Sequence, residues 1–165
     1  MHVYYVSKVA GNNVTLTEIS GEVPGATPVI IECAAKDPSS NRLEILNTSS
    51  AQVTGNKLAG VYFCNGNRPE GSVDAYTEFN ASTMRVLTVS GGKLVMTNDA
   101  PDRLKEIEAV DWSTEDDINV TCIPANTSYL KAESGTPAEL GVRFEGSGID
   151  EILAEQKDAQ RECTP

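Results

Sequence analysis

The 165-residue chain sets 24 acidic residues against 13 basic ones, for a formal net charge of −11 and a pI near 4.5. Phosphate backbones and anionic membrane surfaces demand the opposite sign, so nucleic-acid and membrane-surface binding are excluded as expectations. Apolar residues make up 39% of the chain but Phe, Trp and Tyr only 5%. The core of one domain, or of two very small ones sharing it, must therefore be built from Val, Ile, Leu and Ala.

No stretch approaches the roughly 18 apolar residues of a membrane span. The opening Met1-His2-Val3-Tyr4-Tyr5-Val6 lacks the basic start and long apolar run of a secretory leader. Residues 3–9 already read as a strand, and the chain is expected to be a piece of a longer protein. Tyr4, Val6 and Val9 lead to Gly11-Asn12-Asn13, after which Val14 and Leu16 alternate with Thr15 and Thr17. An Asn/Gly turn between two alternating runs predicts a β-hairpin over 3–9 and 13–20.

Val29-Ile30-Ile31-Glu32-Cys33 is a short continuous apolar run, predicted to be a strand buried on both faces. After the polar loop Lys36–Arg42, Leu43–Leu46 predicts a brief strand. Leu58–Cys64 predicts another, its Gly60 marking a bulge. Ala75–Phe79 alternates. Met84–Val89 and Lys93–Thr97, joined through Ser90-Gly91-Gly92, form the second clear hairpin. Leu104–Val110 suits either a short helix or a strand, and Asp111–Asp117 an acidic loop holding Trp112. Ile118–Cys122, Tyr129–Ala132 and Leu140–Phe144 complete the strands. Short strands at this spacing, separated by turn signals, predict an all-β sandwich of two antiparallel sheets. From Gly148 onward, Ile149, Ile152 and Leu153 share one helical face among acids, which predicts a partly helical tail.

The stretch Ile123-Pro124-Ala125-Asn126-Thr127-Ser128-Tyr129-Leu130 repeats, in type, Val23-Pro24-Gly25-Ala26-Thr27-Pro28-Val29-Ile30. In each, a β-branched residue enters Pro, turn-prone residues and Thr follow, and two apolar residues close. Proline cannot donate to a ladder, so both read as tight corners feeding strands. The echo suggests two related halves, 1–57 and 58–146, in one domain over 1–146, with 147–165 as a linker.

Chemistry-bearing patterns are few. His2 is the single histidine, so Ser-His-Asp and Cys-His arrangements lack a base. Phosphate-cradling glycine loops are absent. The acidic loop Asp111 and Glu115-Asp116-Asp117 lacks the alternation of a calcium loop and reads as a solvated surface. The five Asn-X-Ser/Thr triplets beginning at Asn13, Asn47, Asn80, Asn119 and Asn126 follow from a composition rich in those residues. Cys33, Cys64, Cys122 and Cys163 show no CxxC spacing, and a zinc site is not expected. They read most simply as small buried thiols; a sharper alternative bridges Cys33 and Cys122, which flank the two corners, and needs an oxidising compartment. Trp112 and Tyr76 are the candidate aromatics for a sugar-binding surface, against the simpler expectation that both are packed. No catalytic residue, metal or cofactor is expected.

The segments VPGATPVIIE, CIPANTSYLKA and GNNVTLTEIS together resemble a β-rich domain of large secreted or surface proteins of Gram-negative gut and oral anaerobes. That domain often lies beside leucine-rich repeats or immunoglobulin-like modules. The tail Phe144–Leu153 (FEGSGIDEIL) is similar to the linker leading into a C-terminal sorting module read by the type IX secretion route. Here the chain ends at Arg161-Glu162-Cys163-Thr164-Pro165 instead of continuing with the Tyr-Asn-Leu-x-Gly-like strand of that module. The resemblance implies an exported, cell-surface location, with other domains of the same protein as partners. The expected function is a non-catalytic structural or interaction module. A carbohydrate-binding module contacting polysaccharide or a host surface protein is the alternative, and a glycan hydrolase domain a third reading.

Overall fold

The computed structural model describes residues 1–47, 51–64, 75–111 and 113–146. They form an all-β fold of eleven strands in one eight-stranded and one three-stranded sheet. The expected tail over 147–165 lies outside the described residues.

The first hairpin forms as its alternation predicts. β1 (His2–Ala10) pairs antiparallel with β2 (Asn13–Glu18), placing Tyr4, Val6, Val14 and Leu16 inward. The register slips between Val6 and Lys8, so Ser7 is an extra residue in β1. β3 (Ile30–Glu32) adds to the outer side of β1 and is an edge strand. Burial of that segment on both faces is therefore corrected: Ile30 packs on the core, while Ile31 points to the other face and is 44% exposed. A Val-Ile-Ile run reads the same at an edge as at a centre. Leu43–Leu46 is corrected too, because it finds no strand partner; Leu43 and Ile45 are 64% and 94% exposed.

β4 (Leu58–Val61) pairs with β10 (Thr127–Lys131) in continuous register, so Gly60 marks no bulge. It makes room instead: a Cβ there would lie 3.3 Å from the Tyr62 hydroxyl oxygen. β6 (Met84–Ser90) and β7 (Lys93–Thr97) form the second hairpin across Gly91-Gly92, both at positive φ as a type I′ turn demands. Lys105–Asp111 resolves to strand β8, paired along its length with β9 (Asp116–Ile123), to which β5 (Thr77–Glu78) adds. β11 (Glu139–Phe144) enters between β7 and β2 and runs parallel to β2, the one departure from antiparallel pairing among the described strands.

The large sheet, ordered β3-β1-β2-β11-β7-β6-β10-β4, curls until its far edge returns to its start. The Lys57 N–H, just before β4, donates to the Val6 carbonyl of β1 at 2.9 Å. Inside the curl, Tyr4, Val6, Val14, Leu16, Leu58, Met96, Leu130 and Leu140 form the main core, free of charged groups. A second cluster of Val61, Val86, Ala100 and Ile123 joins the large sheet to the start of the small one. A third lies on the small sheet, with Cys64 and Tyr76 packed against it.

Arg85 of β6 is 3% exposed and holds the crossover between β10 and β11. Its Nε donates to Pro137 O at 2.8 Å and Nη2 to Thr136 O at 2.9 Å, while Nη1 donates to Ala81 O and Met84 O at 2.7 and 2.8 Å. Burial holds its pKa below the usual arginine value, but four carbonyl oxygens stand in for water. Arg85→Met is expected to lower unfolding free energy by about 3 kcal/mol, since it orphans buried carbonyls; Arg85→Lys costs roughly half that, keeping charge but losing the fork. Urea titration of the two variants checks both.

The echoed corners adopt one conformation. Ala26 and Asn126, at matching positions, have φ of 57° and 59°. Thr27 N–H and the Thr127 hydroxyl return to Pro24 O and Pro124 O at 3.3 and 2.6 Å. Alanine is strained at positive φ where asparagine is tolerated. Ala26→Gly is therefore expected to stabilise by roughly 0.5–1 kcal/mol and Asn126→Gly by much less, read as paired shifts in melting temperature.

Candidate functional site

A groove of about 1220 Å³ lies on the outer face of the β1–β3 end of the large sheet. Alternation dictates its floor. Tyr4 and Val6 point into the core, so Val3 points out, beside its cross-strand partner Ile31. Ile19 joins them, its N–H bonded to Val3 O at 2.8 Å. One wall is the first corner, Ser20–Gly25, and the other is Arg42–Asn47. That second wall carries Leu43, Ile45 and Leu46 outward, with Leu46 47% exposed. The rim is acidic at Glu18, Glu22 and Glu44, with Arg42 as its basic group. His2 Nδ1 lies 2.7 Å from Glu18 Oε1 at one end.

Tyr4 and Glu32 secure the edge strand that forms the floor. The Tyr4 hydroxyl donates to Glu32 Oε2 at 2.9 Å, and its ring meets Phe144 edge-on at 5.0 Å between centroids. Beyond the wall, Asp37 caps the short 3₁₀ turn Pro38–Ser40 through the Ser39 N–H and hydroxyl, which hold its carboxyl below the usual range.

Of the aromatics singled out from sequence, Tyr76 is half-buried against Ile107, Ala109, Val120 and Cys122 rather than displayed on a flat face. Trp112 lies outside the described residues. The displayed pair is Tyr62 and Phe63, 55% and 66% exposed, immediately after β4. The Tyr62 hydroxyl donates to Ala26 O at 2.8 Å, which seats its ring beside the first corner. Sequence reasoning placed both inside a strand; the signal against that was the Asn-Gly loop directly following them. The acidic loop's Asp111 is engaged as a turn former, accepting from the Ser113 N–H and hydroxyl at 2.9 and 2.6 Å, which draw its carboxyl below the usual range. No group of three or more His, Cys, Asp or Glu side chains converges for a metal among the described residues.

The cysteines divide by environment. Cys33 is exposed, Cys64 half-buried and Cys122 fully buried, all three as free thiols. The bridge considered between Cys33 and Cys122 is thus not formed. Cys122 instead packs against Cys64, and burial, followed by that contact, pushes its pKa up to about 11.

No family model, curated protein or solved structure matches this chain.

Burial, then the bond to Glu32, push the Tyr4 pKa from 10.0 up to about 12. The unfolded chain therefore releases this proton first as pH rises. The stability tied to Tyr4 is fully present below about pH 10 and drains away as pH climbs through about 12. Tyr4→Phe is expected to flatten the fall in denaturation midpoint between those pH values, and the two profiles should run parallel at pH 7–9.

Proposed function

We propose that this chain is a non-catalytic interaction module of an exported bacterial surface protein, and that the outer groove is where it contacts its partner. The observation that carries the reading is the exposure of Leu43, Ile45 and Leu46 beside an edge strand that leaves Ile31 half in solvent. An unsatisfied strand edge flanked by apolar side chains is the arrangement that accepts an added strand. A groove with an apolar floor and a charged rim gives such a strand both burial and orientation. The partner that fits is an extended peptide segment with alternating apolar residues, supplied by a neighbouring domain of the same surface protein. Basic residues on that segment would complement Glu18, Glu22 and Glu44. The export and surface location rest on the resemblance carried by the corner segments and the tail.

A second reading, carbohydrate binding, is favoured by Tyr62 and Phe63, adjacent exposed aromatics of the kind that stack on sugar rings. One paired screen separates the two. Display of linear peptides on phage is expected to select extended apolar-alternating sequences whose affinity drops about tenfold or more in Ile45→Asp and Ile31→Asp, with melting temperature unchanged. A glycan array hit lost in Tyr62→Ala, with no peptide selected, would replace the first reading by the second.

A further inference from the structure

The buried face of the three-stranded sheet is formed by Ile107, Ala109, Val120 and Cys122, and its cover includes Cys64 and Tyr76. Cys122 sits on the central strand between Glu78 of β5 and Lys105 of β8. Its thiol approaches Val120 O at 3.6 Å and lies within hydrogen-bond reach of the Cys64 thiol. Cys64 itself follows β4, the outermost strand of the large sheet, by three residues. A free thiol of the small sheet and one just beyond the end of β4 thus meet at a seam where the two sheets otherwise share the Val61–Ile123 cluster.

We propose that Cys64 and Cys122 are a disulfide-forming pair, a covalent modification site that staples β4 to the small sheet when the protein meets a disulfide oxidant. The half-buried Cys64 is the sulfur an oxidant reaches first, Cys122 being fully enclosed. The Cys64 thiolate attacks a small-molecule or protein disulfide, forming a mixed disulfide and releasing one thiolate. The Cys122 thiolate then attacks the Cys64 sulfur, forming the Cys64–Cys122 bond and releasing the second thiolate. The two protons from the protein thiols pass to the two leaving thiolates. The cysteines lose two electrons and the oxidant gains them. The bond closes a loop of roughly 60 residues, which restricts the unfolded chain more than the folded one. The inference does not depend on where the protein resides, because the oxidant can be supplied.

The test is incubation of the purified chain with oxidised glutathione, followed by peptide mapping without reductant. The expected result is a Cys64–Cys122 linked peptide, retained in the Cys33→Ser, Cys163→Ser double variant. It should come with a rise in melting temperature of about 5–10 °C that dithiothreitol reverses. The rise should vanish in Cys64→Ala, a change at a half-buried position that leaves the buried Cys122 in place. A persistent glutathione adduct on Cys64 with Cys122 still open to alkylation after unfolding would overturn the proposal. A linkage joining Cys33 to Cys122 would overturn it as well.

Discussion

A single buried guanidinium decides how the second half of this chain is threaded. Among the described residues no carboxylate forms an ion pair with Arg85, and its charge is met by the carbonyl dipoles of Ala81, Met84, Thr136 and Pro137. Because a buried charge tolerates no vacancy, the Thr136–Pro137 strap must lie across β6 where those carbonyls can be reached. Asn98 adds to the same lock, its N–H bonded to Ala138 O at 3.0 Å and its side-chain amide to Ala81 O at 2.9 Å. The strap therefore crosses the β6–β7 hairpin and delivers β11 to the far side of β7. Only there can β11 meet β2, which it joins in parallel, with Gly141 N–H on Asn12 O at 2.8 Å. The union of the first hairpin with the rest of the sheet follows from that crossing.

The two corners then close the curl from opposite directions. Asn126 N–H donates to Val61 O at 2.8 Å, and the next residue, Tyr62, donates its hydroxyl to Ala26 O at 2.8 Å. The end of β4 is thus gripped by both corners at consecutive residues. A Pro-x-αL-Thr turn exposes carbonyl and amide groups in a fixed direction, and using it twice supplies an acceptor on one side and a donor on the other. The similarity of the two stretches is a similarity of turn geometry, while their strands differ: one feeds a three-residue edge, the other an interior strand.

How much of this could be read beforehand depended on the range of the interaction. Both hairpins were legible because Gly11 and Gly91-Gly92 sit between runs whose alternation is local. The ambiguity at Leu104–Val110 was resolved by β9, whose seven-residue pairing outweighs any helical preference of Leu-Lys-Glu-Ile-Glu. Leu43–Leu46 misled because apolar content resembles a strand whether or not a partner exists, and pairing is a property of distant residues. Arg85 gave no signal at all; its charge reads as solvent-facing even though it shares a face of β6 with Leu87, and it is buried by a strap some fifty residues on. The groove was hidden for the same reason, its floor coming from the first strand, its walls from a corner and a loop. The Cys64–Cys122 contact joins positions whose neighbours in sequence share no pattern.

The groove and the thiol pair are linked through one short segment. Cys64 lies two residues beyond Tyr62, and the Tyr62 hydroxyl is bonded to the corner whose Pro24 and Gly25 line the groove wall. A staple at Cys64 would hold that segment against the small sheet, and through Tyr62 it would limit how far the corner can swing. The same corner is also held by the Asn56 side-chain amide, which donates to Pro28 O at 2.8 Å, and it carries Ala26 at positive φ. The Tyr62 hydroxyl ties that wall to the end of β4, so a bond formed at Cys64 would stiffen the same tether.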